Sequence, residues 1–493
     1  MPAFAAAALV FLSSAAVLVL EILAARLLAP YVGSTLETYT AIIGVVLAGI
    51  AVGSWIGGKA ADARDPRGLL APLLLIGGAL AFAAIPIVDV LGTSLRGAGP
   101  TTTTTLTILA FFAPAAVLSA VTPAVIKIQL ASLEETGRVV GRLSALSTAG
   151  AIVGTFVTGF LLVAAFPTRP VIRATALFLV LLGVATAVAL RRGRTVSSGM
   201  AVAVLAAGGL SFAAANPCEE ESAYYCAYIV EDPDRPAGRA LWLDNLRHSY
   251  VDLEDPTYLE FTYTQWFGDV LDAVAPEPDP VSVLHIGGAG FTMPRYVRAT
   301  RPGSTSEVLE VDPLLVELAQ EDLGLDLDAD IEVRLGDART TLDQGEVARH
   351  DVVIGDAFGG VAVPWHLATQ EFTAKVHARL RPGGVYTLNV IDYGPRSFLR
   401  AEVATVASVF EHVAVLGRPG SFDERGRSRG GNYVLVASDA PLPIAAIEAA
   451  NARRGRTDEV LHGAALRSFV ADARILTDDH APVDQLLTPR PVA

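Results

Sequence analysis

The chain has 493 residues, of which 52% are hydrophobic and 18% charged, which is too apolar for a wholly soluble protein and too long for one domain. Its formal charge of −14 is split unevenly: 13 Lys plus Arg stand against 7 Asp plus Glu before Asn216, a net of +6, which leaves −20 for the remainder. So negative a second half excludes a nucleic-acid binder and suits a soluble body that tolerates small cationic amines.

Residues 1–215 read as an all-α transmembrane domain. Seven apolar stretches occupy residues 3–28, 39–58, 69–88, 106–130, 143–166, 171–190 and 198–215, each near the ~20 residues that cross a lipid bilayer. The seventh, short and rich in Ala and Gly, is the weakest. Gly49, Gly53 and Gly57, and Gly150 with Gly154, stand at the four-residue spacing that lets helices pack backbone to backbone. Glu21, inside the first stretch, is a candidate for a transport role, and Arg26 lies near the same end. Lys59, Arg64, Arg67, Lys127, Arg138, Arg142, Arg191, Arg192 and Arg194 fall on one side of the expected bundle, and Arg26, Arg96, Arg169 and Arg173 on the other. The excess places the first set and the N-terminus in the cytoplasm. Seven spans then predict an extracytoplasmic C-terminal domain in a multi-pass cell-membrane protein.

Cys218 and Cys226 are the two cysteines of the chain. A close pair just beyond the last apolar stretch predicts a disulfide, a bond that persists outside the cytoplasm. The pair supplies too few ligands for zinc, and no metal site is expected.

Residues 216–280 read as a connector with a small β region. Strand-like runs at 239–243 and 249–253 precede a helix at 258–274 and a Pro-rich linker at 275–280. From Val281 to the end, strands alternate with helices. This predicts an α/β Rossmann-like domain of the S-adenosylmethionine-methyltransferase type, a parallel sheet with helices on both faces. Such sheets bind ligands beyond the carboxyl ends of their strands. Gly287, Gly288 and Gly290 follow the first strand, Glu310 ends the second, Asp337 the third and Asp356 the fourth. A glycine turn with an acid about 20 residues on suits a ribose, and the ordered set predicts a nucleoside crevice. Each acid taken alone also fits a helix cap.

From about Arg239 onward the chain resembles the spermidine synthases, the polyamine aminopropyltransferases, in GRALWLDNLRHSYV, FTYTQWF, VLHIGGAGFTMPRYV, VLEVDP, RLGDAR, DVVIGDAF and RLRPGGVYTLNV. The whole order, apolar stretches followed by this domain and a late LTDDHAPVD, resembles proteins described as fused transporter/spermidine synthases. The resemblance implies decarboxylated S-adenosylmethionine as co-substrate, with Glu310 on its ribose, Asp337 on its adenine amine and Asp356 as the acid that deprotonates and orients the attacking amine. Three positions depart from the family. Gly290 stands where the glycine turn usually carries Asp, Gly359 where a second Asp follows the catalytic one, and Tyr263-Thr264-Gln265 replaces a triplet ending in Glu. Nucleoside contacts are therefore kept better than diamine contacts. Tyr263, Gln265, Asp478 and Asp479, with His480 beside them, are the candidates for holding the acceptor. The readings that follow are aminopropyl transfer to a polyamine or other amine, an extracytoplasmic ligand-binding domain of a transporter or sensor, and a nucleoside-dependent transferase with another acceptor. The glycine pairs and this soluble fold both permit a homodimer.

Overall fold

The computed structural model describes residues 1–95, 99–190, 197–327, 330–344, 348–422 and 430–487. The chain divides into two compact units, Met1–Tyr228 with Leu243–Asn245, and Ile229–Trp242 with Leu246–Ala493.

In the first unit six helices are long and apolar enough to cross a membrane: Ala3–Val32, Leu36–Ala63, Pro66–Ser94, Pro100–Gln129, Leu133–Ala165 and Thr168–Ala189. The seventh expected span is instead a helix of 16 residues, Ser198–Ala213. It starts where the Ser197 hydroxyl accepts from the Met200 amide. At 1.5 Å per residue it reaches about 24 Å, short of a ~30 Å hydrocarbon core. Arg96, Arg191, Arg192 and Arg194, on which the expected orientation partly rests, lie outside the described residues.

The first helix runs through the middle of this unit, with Leu20, Leu23, Ala24 and Leu28 buried in its core. Both glycine sets serve close backbone contact. A Cβ on Gly53 would stand 2.0 Å from the Ala116 carbonyl oxygen, and one on Gly150 2.2 Å from that of Phe11. Opposite Gly49, whose Cβ would lie 2.9 Å from the Phe112 carbonyl oxygen, the Pro100–Gln129 segment ends a π-helical turn, Ile108–Phe112, just before Pro114, whose missing N–H interrupts the helical ladder. Arg26 is not left alone: it donates to the Ser222 and Ala223 carbonyls at 2.5 and 2.7 Å and to the Thr168 hydroxyl at 3.2 Å. Glu21 borders a small void with Val46, Phe111 and Pro114. Cys218 and Cys226 are joined by a disulfide.

A four-stranded sheet comes next in the chain, in the order β1 (Glu220–Glu221), β2 (Cys226–Asp232), β3 (Arg235–Leu243) and β4 (Leu246–Asp252). The helix Thr262–Val274 follows. The second sheet contains β5 (Ser282–Ile286), β6 (Thr305–Glu310), β7 (Ile331–Leu335), β8 (His350–Gly355), β9 (Leu380–Asp392), β10 (His412–Gly417), β11 (Gly431–Ser438) and β12 (Glu459–His462). Their spatial order is β12-β10-β11-β9-β8-β5-β6-β7. Strands β5 to β9 pair in parallel, whereas β11 pairs antiparallel with β9 and β10, and β10 with β12.

The sheet is therefore mixed, not purely parallel as the strand–helix alternation predicts. An antiparallel margin is a common addition to a doubly wound sheet, and an apolar run does not reveal which way its strand points. One face of the sheet buries Leu284, Val353 and Leu388 against Phe372 and Phe398. The other buries Val283, Ile354 and Val385 against Trp266, Phe267 and Val270 of the Thr262–Val274 helix. With both faces covered, functional side chains are confined to strand ends. The strand order reverses between β5 and β8, which opens a crevice beyond their carboxyl ends.

Candidate functional site

Gly287 leaves β5 with φ +95°, and a Cβ there would lie 2.5 Å from the Asp356 carbonyl oxygen. A positive φ and no room for a side chain make glycine necessary at this point. Its first duty is thus to let the turn after β5 close onto the end of β8. Next to it, the Gly288 and Ala289 amides donate to one Glu310 carboxylate oxygen at 2.8 and 3.0 Å, and the Asp312 amide donates to the other at 2.9 Å. Burial pushes the Glu310 carboxyl up, against the pull of those three amides. In this structure Glu310 buttresses the glycine turn, and its two oxygens keep spare acceptor capacity. Gly290 is tied down differently. Its amide donates to the Ser249 hydroxyl of β4 at 3.0 Å, and a Cβ there would meet Ser249 Cβ at 2.7 Å.

Asp337 lies just past β7 and caps the helix Ala338–Leu342 by accepting from the Thr340 amide at 3.0 Å. His366 Nε2 donates to its other oxygen at 2.7 Å. Partial burial raises the Asp337 carboxyl, but the Thr340 amide and His366 outweigh it and hold the group below the usual carboxylate range. Trp365 stands beside this pair, half exposed, with its ring edge-on to His366.

Asp356 follows β8 and is the most perturbed of the three acids. Burial pushes its carboxyl up to about 6, against hydrogen bonds from Asn389 and Tyr263. Asn389 Nδ2 donates at 2.9 Å. Asn389 is itself buried on β9, and its Oδ1 accepts from Asn432 Nδ2 of β11 at 3.0 Å. Tyr263, in the first turn of the Thr262–Val274 helix, is held by stacking on Phe261 and by the edge of Phe267. Burial and the neighbouring Asp356 drive its phenol well above the ordinary range, so it remains a donor. A carboxyl near 6 is ionised at neutral pH and still able to take a proton, the property a general base requires.

The structure brings Tyr263 to Asp356 but not Gln265. Two residues on, Gln265 faces another side of the helix. Its amide donates to the Leu259 carbonyl at 2.7 Å, and its oxygen accepts from Arg456. Nor is Asp478 free to meet an acceptor. It forms a two-point pair with Arg339, with one bond of 2.8 Å, and its amide donates to Glu371. Arg339 also donates to the His366 carbonyl at 2.8 Å, so the Thr477–His480 turn is fastened to the Asp337 side of the crevice. Asp479 is exposed on that turn. A short acid-rich turn in sequence shows no such arginine, which comes from 139 positions away.

Residues missed from sequence are His366, Arg339, Ser249, Asn389 and Asn432. Asn389 carries a signal. It is a polar residue in the middle of the apolar strand VYTLNVID, and buried amides are kept where they have partners.

No family model matches the chain. A polyamine aminopropyltransferase of Vibrio vulnificus is 27% identical over 221 residues, 42% of this chain and 71% of that protein. A probable polyamine aminopropyl transferase of Bifidobacterium longum is 31% identical over 29% of this chain and 32% of its own length. An eEF1A lysine and N-terminal methyltransferase of Danio rerio is 32% identical over 31% of this chain and 24% of its own length. The chain thus spans a third or less of the latter two. Among solved structures, a probable spermidine synthase from Corynebacterium glutamicum aligns over 52% of this chain and 94% of its own, with 28% identity and a TM-score of 0.48. The chain therefore carries a domain similar in sequence to polyamine aminopropyltransferases and, over a shorter stretch, to a lysine and N-terminal methyltransferase.

Proposed function

We propose that the C-terminal unit binds decarboxylated S-adenosylmethionine and transfers its aminopropyl group to a primary amine, in a protein whose N-terminal unit is held in a membrane by its apolar helices. One observation carries this reading: Asp356, with a carboxyl near 6, stands at the switch point of the sheet against the Gly287 turn, with Glu310 and Asp337 at the ends of β6 and β7 on the far side of that turn. The names of the similar proteins support the same chemistry.

In this reading the attacking amine gives a proton to Asp356. Its lone pair forms a C–N bond to the aminopropyl carbon next to sulfur. The C–S bond breaks with its electron pair passing to the sulfonium, which leaves as a neutral thioether nucleoside. Asp337 and Glu310 hold the nucleoside, and three carboxylates near the crevice favour a cationic donor and acceptor. Gly359 and the outward turn of Gln265 leave the acceptor side with Tyr263 and Asp356, so the acceptor is an amine not restricted to putrescine. Calorimetric titration of the full chain with decarboxylated S-adenosylmethionine tests the binding half. Saturable heat that Asp337→Ala weakens is expected, and absence of heat in wild type would sink it.

A second reading rests on the Cys218–Cys226 disulfide, a bond that persists outside the cytoplasm, away from the metabolite named above. The unit would then be an extracytoplasmic ligand-binding domain. A membrane-impermeant maleimide on intact cells separates the two. Labelling only after reductant places the cysteines outside and favours this second reading. Labelling that requires lysis but no reductant places them inside and removes it.

A further inference from the structure

The amide of Asn389 is the contact that most directly opposes the burial of Asp356, and a primary amide has two unlike ends. One end donates and the other accepts, with nearly the same shape. In this structure Asn389 presents Nδ2 to Asp356 Oδ1 at 2.9 Å and Oδ1 to Asn432 Nδ2 at 3.0 Å. Rotated by half a turn, it would set its oxygen against the carboxylate and its NH2 against another NH2. Both contacts would be repulsive.

Nothing on β9 chooses between the two orientations. Asn389 is 2% exposed and lies between Leu388 and Val390, which belong to the core. The choice comes from two neighbours: the Asp356 carboxylate just past β8, which takes a donor, and Asn432 on β11, which supplies one. Asn389 pairs with Val434 and Ile391 with Asn432, so Asn432 is the diagonal neighbour of Asn389 on the same face of the sheet.

We propose that Asn432 is a positioning residue for Asp356: by donating to Asn389 it fixes the amide so that an N–H always faces the carboxylate. This rests on the reading of Asp356 as the base in transfer. The side chains acting on the carboxyl are Asn389 from β9 and Tyr263 from the Thr262–Val274 helix, and of these Tyr263 alone titrates. A fixed donor favours the charged form. Once Asn432 is removed, Asn389 can turn, the donor is lost part of the time, and Asp356 holds its proton more tightly. Asn432→Asp goes further. The carboxylate it introduces can only accept, so it competes with Asp356 for the one NH2 of Asn389, and it adds a negative charge nearby.

The test is the titration of the Asp356 carboxyl in the full chain, followed as the infrared carboxyl band that Asp356→Asn abolishes. Asn432→Ala is expected to raise its midpoint by roughly 0.5–1 pH unit, a three- to tenfold gain in proton affinity, and Asn432→Asp by more. The carboxylate variant keeps the shape of asparagine, so a fold lost on truncation to alanine still leaves a measurement. Midpoints unchanged from wild type in a folded Asn432→Asp would overturn the proposal. The readout is independent of turnover: a shifted midpoint in a protein that transfers nothing would sink the transferase reading and leave this one standing.

Discussion

The side-chain amide of Asn389 donates to Asp356 at 2.9 Å while the Tyr263 hydroxyl donates to the same carboxylate. Burial outweighs both, and the carboxyl stays near 6. If this group is the base, its ionised form is needed, and activity should fall about tenfold per pH unit below pH 6. Asp356→Asn should lower transfer by roughly 10²–10⁴-fold, with nucleoside affinity nearly unchanged, since Asp337 and Glu310 are untouched. A pH–rate profile with and without the substitution checks both. Full activity at pH 5 would contradict the assignment.

The same shift makes a stability statement. Asp356 has a higher pKa folded than unfolded, so the native state binds its proton more tightly. Stability on this account declines as pH rises from about 4 to about 6, and the loss is complete above that window. Asp356→Asn removes the buried charge and should raise the midpoint of thermal unfolding at pH 7, by the equivalent of about 1–2 kcal/mol. The gain should shrink toward pH 4. A variant less stable than wild type at pH 7 would contradict this.

Asp337 behaves in the opposite sense. His366 and the Thr340 amide hold its carboxyl down, so it remains an acceptor through the whole neutral range. Asp337→Asn should weaken nucleoside binding by about 1–3 kcal/mol, and His366→Ala by less, because it removes only the group that orients Asp337. Titration calorimetry with 5′-methylthioadenosine measures both. A loss in His366→Ala larger than in Asp337→Asn would point to direct contact by the histidine.

Gly287→Ala should be costly twice over. Its φ of +95° strains any other residue, and the new methyl would sit 2.5 Å from the Asp356 carbonyl oxygen. Destabilisation of about 1–3 kcal/mol from the backbone alone is expected. Activity should fall further than stability explains, because β5 and β8 are pushed apart where Asp356 is placed. Thermal unfolding and turnover measured on one preparation separate the two effects.

Much of this is legible in the sequence for identifiable reasons. Apolar runs and strand-end acids are local patterns, and local patterns place Gly287, Glu310, Asp337 and Asp356 at consecutive turns of one sheet. What escapes is set by distance. Gln265 stands where the family's triplet carries Glu, but helical geometry turns it toward Arg456, nearly 200 positions on. Asp478 reads as a free acid in its own turn, and its partner Arg339 comes from far upstream. The mixed direction of the sheet is hidden because β9 and β11 have the same apolar composition whichever way they run. The Ser198–Ala213 helix counts as a span by its apolar composition, while its length, which begins at the Ser197 cap, is not sufficient.

The most direct test is to incubate the purified full chain with decarboxylated S-adenosylmethionine and a series of primary amines and to measure release of 5′-methylthioadenosine. The account expects release that depends on an amine and is lowered by roughly 10²–10⁴-fold in Asp356→Asn. A nucleoside that binds and is returned intact with every amine, in wild type as in the variant, would contradict it.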